Sequence, residues 1–90
     1  MTIGQHLRID LATASDAPML AALHGTILPG SRLSLFGQDY LTACYRYLVA
    51  SRDEVVFVAR ADGYAVGGAF VSLAPGSLSR RLARHTPLLV

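Results

Sequence analysis

The Asp62-Gly63 dipeptide constrains the fold of this chain more than any other feature. It stands between two runs rich in β-branched and aromatic residues, Val55–Ala59 and Ala65–Leu73. A two-residue Asp-Gly loop suits positive φ angles and joins antiparallel strands tightly. The sequence therefore predicts a β-hairpin with its turn at residues 61–64. Gly67-Gly68 predicts a bulge or a close backbone approach in the second strand.

One further strand is predicted near the N-terminus. Apolar and polar residues alternate over His6–Leu11, a period that is typical of a half-buried strand. We expect Leu7, Ile9 and Leu11 to lie on its buried side.

Three helices complete the predicted order of elements. The first is capped by Ser15 or Asp16 and stops before Pro29-Gly30. The second opens at Ser31 or Ser34 and extends to about residue 50, and a short basic helix runs over residues 77–85. The order β-α-α-β-β-(α) places the chain in the α/β (α+β) class, as one domain over residues 1–90.

Composition excludes several classes of protein. Of the 90 residues, 52% are hydrophobic and 16% are charged, so the chain is too apolar to remain disordered. It has no run of about 20 apolar residues, which excludes a bilayer span. A secretory signal is absent from the start of the sequence, and we expect a cytoplasmic protein. The single cysteine, Cys44, excludes an internal disulfide and is interpreted as a small core residue.

The positive charge is concentrated in one place. All eight cationic residues are arginines, and Arg80, Arg81 and Arg84 form a cluster without any acid nearby. Nucleic-acid footprints need a longer basic stripe with base-reading or stacking groups. We interpret the cluster as a solvated helix face and keep a nucleic-acid accessory role as the weakest of three hypotheses.

The order of elements resembles the N-terminal half of a GNAT-type N-acetyltransferase domain. The resemblance extends over about residues 6–75. Five segments carry it: the strand His6–Leu11, the capped helix from Ser15, the Pro29-Gly30 break, the helix at residues 35–48 and the hairpin at residues 56–68. The hairpin has the pattern hydrophobic-Ala-x-x-x-Gly-x-x-Val-Gly, from Val58 to Gly67. The resemblance implies acetyl transfer from acetyl-CoA to an amine acceptor.

The resemblance also implies that a cofactor-binding second half lies outside these residues. Family members bind acetyl-CoA where a strand leads through a Gln/Arg-x-x-Gly-x-Gly/Ala loop into a helix. Arg60–Ala65 matches this pattern by letter, but Val66–Val71 is typical of a strand, so the segment is interpreted as the hairpin turn. We therefore expect a half-domain that binds no cofactor and is not catalytic by itself.

Candidate site residues are few. The resemblance places the acceptor surface around the loop from Pro29 to Phe36 and along the hairpin, with Arg32 and Phe36 on the substrate side. The sequence assigns no general acid or base. The three histidines are too scattered for a metal site, and His24 is interpreted as a boundary residue.

The alternative function is a non-catalytic homodimeric interaction or regulatory module. The Ala65–Leu73 strand would be a free apolar edge, which is a template for another chain. The second helix and the apolar residues 88–90 offer further surfaces. We expect self-association through the strand edge, the second helix or both, or association with a missing C-terminal half.

Overall fold

The computed structural model describes residues 1–4, 6–31 and 33–86. Its elements, in chain order, are β1 (Leu7–Leu11), a 3-10 turn (Ala14–Asp16), α1 (Ala17–Ile27), a second 3-10 turn (Ser34–Phe36), α2 (Gln38–Ala50), β2 (Glu54–Ala61), β3 (Tyr64–Ser72) and α3 (Pro75–His85). The strands form one antiparallel sheet in the order β1-β2-β3. The predicted α+β class is confirmed.

The predicted hairpin is confirmed, with β2 and β3 joined by Asp62 at φ 50° and Gly63 at φ 85°. The register shifts near the turn, because Ala59 pairs with Gly67 whereas Arg60 pairs with Ala65. One residue, Val66, is therefore extra on β3, which makes the predicted bulge.

The predicted close approach is found at Gly68. A Cβ atom added there would lie 2.7 Å from Cδ2 of Leu20 and 3.3 Å from the Phe57 carbonyl oxygen. The bare backbone of Gly68 thus allows α1 to pack directly on β3.

The core lies between the helices and one face of the sheet. Val56 and Val58 of β2 are buried against Leu20 of α1 and Leu48 of α2. Leu78 and Leu82, which share one face of α3, pack on the same cluster. Because the faces of β2 alternate, its even-numbered residues make this covered face of the sheet.

The apolar side of β1 lies on the opposite, open face of the sheet. Pairing of Ile9 with Ala59 and of Leu11 with Phe57 sets these residues away from the buried positions of β2. Leu11 is 65% exposed, so the prediction that it is buried is wrong. The reason is electrostatic, because the helix side of β1 is needed for Asp10, which pairs with Arg60.

The second helix begins later than predicted. Ser34 starts only a 3-10 turn, and Gly37 at φ 92° separates that turn from α2, which begins at Gln38. The first helical turn is also capped differently, by a reciprocal box in which the Thr13 N–H donates to the Asp16 carboxylate at 2.8 Å.

Much of the apolar surface of α2 is covered by the chain itself. Leu41, Cys44 and Leu48 are buried. The side chain of Tyr47 stacks on His85 of α3, with ring centroids 5.0 Å apart. Of the two docking surfaces expected from the sequence, α2 is therefore the less accessible.

Among the described residues, every helix is too short or too polar to cross a membrane.

Candidate functional site

A groove of about 410 Å³ lies between α1 and β3. Leu23 and Ile27 line one wall, and Ala69 and Phe70 line the other. Among the described lining residues, His24 and Tyr45 carry the only polar side chains. A mostly apolar concave site with a few convergent polar groups is the usual form of a small-molecule pocket.

The two polar residues belong to a continuous hydrogen-bonded chain. The Tyr45 hydroxyl lies 2.9 Å from His24 Nδ1, and His24 Nε2 lies 2.9 Å from Ser31 Oγ. The Ser31 hydroxyl in turn lies 2.9 Å from Ser34 Oγ, which lies 2.6 Å from the Leu28 carbonyl oxygen. The loop after α1 thus holds the His24 imidazole in place through its Nε2 atom.

For a neutral His24 ring, the contacts determine where each proton lies. A carbonyl only accepts, so the Ser34 hydroxyl donates to Leu28, and Ser31 donates to Ser34. Ser31 then has no hydrogen left for the imidazole, so His24 Nε2–H donates to Ser31 and Nδ1 accepts from Tyr45. This tautomer excludes a serine nucleophile activated by His24, because the ring nitrogen facing Ser31 carries a proton.

The hydroxyl of Tyr45 consequently offers only lone pairs to the groove. Burial raises the pKa of Tyr45, so the phenol remains neutral at physiological pH. The His24 and Tyr45 rings meet edge to face, with centroids 5.9 Å apart, which fixes the direction of the hydroxyl.

The residues predicted from the sequence lie elsewhere. Phe36 is 49% exposed on the second 3-10 turn, where it packs on Tyr40, and it does not line the groove. Arg32 lies outside the described residues. The predicted loop contributes Ser31 and Ser34, which support His24 from outside the groove. None of its described residues lines the groove itself.

Sequence reasoning missed the pairing of His24 with Tyr45. These residues are 21 positions apart on different helices, and no motif spacing connects them. The two positions come together only because α1 packs on α2, a contact that no local sequence pattern indicates.

A second polar cluster, which we call the α3 clamp, consists of Glu54 and Arg81 with two serines. Arg81 Nη1 and Nη2 donate to the two Glu54 carboxylate oxygens at 2.6 and 2.8 Å. The Ser51 and Ser72 hydroxyls each donate to the same carboxylate at 2.6 Å. The hydrogen bonds from Arg81, with those from the serines, outweigh burial and lower the pKa of Glu54 to about 2. Both oxygens of the Glu54 carboxylate accept hydrogen bonds from Arg81 and a serine. The clamp therefore fastens α3 to the sheet and is not an open site.

Arg60 lies in a third polar cluster, with two aspartates. Its guanidinium binds Asp10 at 3.3 Å and Asp16 at 2.9 Å. Both carboxylates lie on the helix side of the sheet, so Arg60 is already neutralised. Together with the turn at Asp62-Gly63, this pairing gives the Arg-x-x-Gly-x-Ala segment a structural role and leaves it unsuited to a phosphate.

In the part of the chain that the structure describes, no three His, Cys, Asp or Glu side chains converge. Cys44 is buried, as predicted for a core residue, and burial raises the pKa of its thiol.

Comparison with protein-family models, curated proteins and solved structures finds no match to this chain. The site is therefore interpreted from its own chemistry.

Proposed function

We propose that this chain supplies the acceptor-binding side of a GNAT-type N-acetyltransferase, and that the groove between α1 and β3 receives the acceptor amine. Two features support the proposal. The β1-α1-α2-β2-β3 order is the one that the resemblance implies. The loop from Pro29 to Phe36, expected to border the acceptor, supports the groove residue His24 through Ser31 and Ser34.

The observation that carries the proposal is the direction of the Tyr45 hydroxyl. Its hydrogen is committed to His24, so a ligand in the groove meets an acceptor and no donor. An amine or ammonium N–H can donate to Tyr45 Oη. A carboxylate cannot, because its oxygens would meet the lone pairs of Tyr45 Oη and be repelled. The apolar walls favour an amine that carries a short alkyl or aromatic group.

The same contacts provide a path for a proton. An amine proton accepted by Tyr45 Oη is balanced by transfer of the phenolic proton to His24 Nδ1. The resulting imidazolium keeps its Nε2–H bond to Ser31, which is supported by Ser34. Tyr45 and His24 thus act together as a general base on the acceptor.

The described residues do not fit the pyrophosphate of acetyl-CoA. Arg60 is bound by two carboxylates, and Asp62 adds a negative charge beside the turn. The cofactor therefore belongs to a part of the fold that these residues do not form.

Hexylamine is expected to bind in the groove, and hexanoate of the same chain length is not. In a titration followed by amide NMR shifts, the responding residues should include Leu23, Ile27 and Phe70. Tyr45→Phe removes the acceptor and should weaken hexylamine binding about tenfold, the usual effect of one hydrogen bond to a charged group.

Tyr64→Phe is the matched control, because Tyr64 is 72% exposed on the hairpin and remote from the groove. It should leave the affinity unchanged. Equal binding of hexanoate, or an unchanged affinity in Tyr45→Phe, would contradict the proposal.

Acetyl-CoA is expected to show no saturable binding to the 90-residue chain in a calorimetric titration, because the described residues offer no pyrophosphate cradle. One-to-one binding in the micromolar range would overturn this expectation. Gly63→Val would then test the turn directly, since Gly63 has a φ of 85°.

A further inference from the structure

We infer that the groove between α1 and β3 also binds an alkyl carboxylate, and that protonation of His24 admits it. This inference rests on the proposed function for the groove as a ligand site. It adds a second class of ligand and identifies His24 as the residue that selects between the two classes. The contacts of His24 with Tyr45 and with Ser31, one on each ring nitrogen, lead to this assignment.

The Ser31 side of the His24 ring stays the same in both protonation states. The Ser31 hydroxyl donates to Ser34, and its oxygen accepts the Ser34 N–H at 3.1 Å. The lone pair that is left on this oxygen faces His24 Nε2 at 2.9 Å. Nε2 therefore carries a hydrogen in the neutral ring and in the charged ring alike. Only Nδ1, which faces Tyr45, can gain a proton.

Protonation of Nδ1 reverses the hydrogen bond to Tyr45. In the neutral ring Nδ1 accepts from the Tyr45 hydroxyl, whereas in the charged ring Nδ1–H donates to the same oxygen across 2.9 Å. Two hydrogens cannot share that contact, so the hydroxyl hydrogen of Tyr45 rotates away. Tyr45 lines the groove, and among the residues that the structure describes His24 is its only hydrogen-bond partner. The hydrogen can therefore meet a ligand in the groove.

The described surroundings of the ring supply no competing charge. α1, β3 and the described residues of the loop after α1 carry no acidic residue and no arginine. The two charged residues of α2, Asp39 and Arg46, are exposed and are not hydrogen-bonded to His24. On β2, Glu54 and Arg60 are bound in their own clusters. The charge at this end of the groove therefore changes with the protonation of His24.

The position of His24 in α1 favours the charged ring. His24 lies in the last turn of α1, where the partial negative charge of the helix end stabilises a cation. Its side chain is half-buried, so water reaches it. Imidazole is the side chain that ordinarily changes charge between about pH 5 and about pH 8. Both states of the groove are therefore accessible at moderate pH.

Each state of the groove suits ligands of one charge. With a neutral ring, the Tyr45 oxygen accepts an N–H from an alkylammonium ion. With a charged ring, the Tyr45 hydroxyl donates to a carboxylate oxygen, and the imidazolium behind it attracts that anion and repels an ammonium ion. The walls formed by Leu23, Ile27 and Phe70 hold the alkyl chain in either case. Protonation thus changes which head group is bound and leaves the chain preference unchanged.

Titrations of hexanoate and hexylamine, followed by amide NMR shifts at about pH 5.5 and about pH 8, test the change of ligand. Both compounds remain largely ionised at the two pH values, so a change in affinity comes from the protein. Hexanoate is expected to bind about tenfold more tightly at the lower pH, and hexylamine about tenfold more tightly at the higher pH. Equal affinity for hexanoate at both pH values would overturn the inference.

His24→Gln keeps a hydrogen-bonding side chain and removes the titration. The affinity of this variant for either compound should be the same at both pH values. His6→Gln is the matched control, because the His6 side chain is 70% exposed and lies outside the groove. It should retain the pH dependence of the parent. Persistence of that dependence in His24→Gln, or its loss in His6→Gln, would contradict the role of His24.

Tyr45→Phe separates the hydrogen bond from the charge alone. This variant lacks the hydroxyl donor but keeps the His24 ring, so hexanoate should bind about tenfold more weakly than to the parent at the lower pH. An unchanged affinity would show that Tyr45 does not contact the carboxylate, which overturns the inference.

The His24 ring also gives a readout in the unaltered chain. Ligand binding and proton binding are reciprocal, so hexanoate should raise the pH at which the imidazole NMR signals titrate, and hexylamine should lower it. A purely structural histidine would titrate at the same pH with and without either compound, and that result would overturn the inference.

The same titrations separate this inference from the proposed function. Hexylamine binding at the higher pH, without hexanoate binding at the lower pH, would overturn the inference and leave the amine site in place. Binding of neither compound at either pH would overturn both. Binding of each compound at its expected pH supports both.

Discussion

Arg81→Met is expected to lower the free energy of unfolding by about 3 kcal/mol, because it leaves the Glu54 carboxylate enclosed without a cation. The side chain of Glu54 is 0% exposed, so water cannot replace the guanidinium. Adding Glu54→Leu in the same chain should restore most of the stability. A buried ion pair and a well-packed apolar pair often contribute equally, whereas a single buried charge is costly.

Urea denaturation followed by circular dichroism measures both variants. Asp53→Asn is the control, because Asp53 is exposed and lies 3.9 Å from Arg81, a distance at which a surface pair contributes little. A double variant that is no more stable than Arg81→Met would contradict the role of the clamp as a paired unit.

Acid is expected to destabilise the fold mainly between about pH 5 and about pH 2. The pKa of Glu54 is about 2 in the folded chain, against an ordinary 4.5. Its stabilisation is therefore complete above pH 4.5 and is lost as the pH falls to about 2, a change of about 3 kcal/mol. The pKa of Asp16 is lowered too, since hydrogen bonds from Thr13 and Arg60 outweigh the effect of burial, and it contributes in the same direction.

Stability curves from urea denaturation at a series of pH values test this dependence. Glu54→Gln should be less stable than the parent at about pH 7. Its free energy of unfolding should also fall less steeply as the pH is lowered. If the stability of Glu54→Gln falls with decreasing pH as steeply as that of the parent, other carboxylates are responsible for the acid sensitivity.

The hairpin was predictable from sequence because its determinants are local. Asp62 and Gly63 tolerate positive φ, and the flanking strands differ from the turn in composition. The face of α3 with Leu78 and Leu82 was predictable for the same reason, since residues four apart on a helix share a side.

The site and the side of β1 were not predictable, because both depend on contacts distant in sequence. Alternation shows that β1 has two faces, but Asp10 and its partner Arg60, 50 residues away, decide which one meets the helices. Likewise, His24 and Tyr45 each look like an ordinary helix residue, and their pairing exists only once α1 lies on α2.

The pairing of β1 with β2 also affects how the chain is made. Leu7 pairs with Ala61, so β1 has no partner until the helices that follow it and then β2 have been synthesised. Closing such a long loop makes this pairing late in comparison with the hairpin and the helix pair. Throughout that delay Leu7, Ile9 and Leu11 are exposed in a strand-forming segment. Arg8 and Asp10, which alternate with them, act as gatekeepers against aggregation of the nascent chain before they pair with each other, and Asp10 with Arg60, in the finished fold.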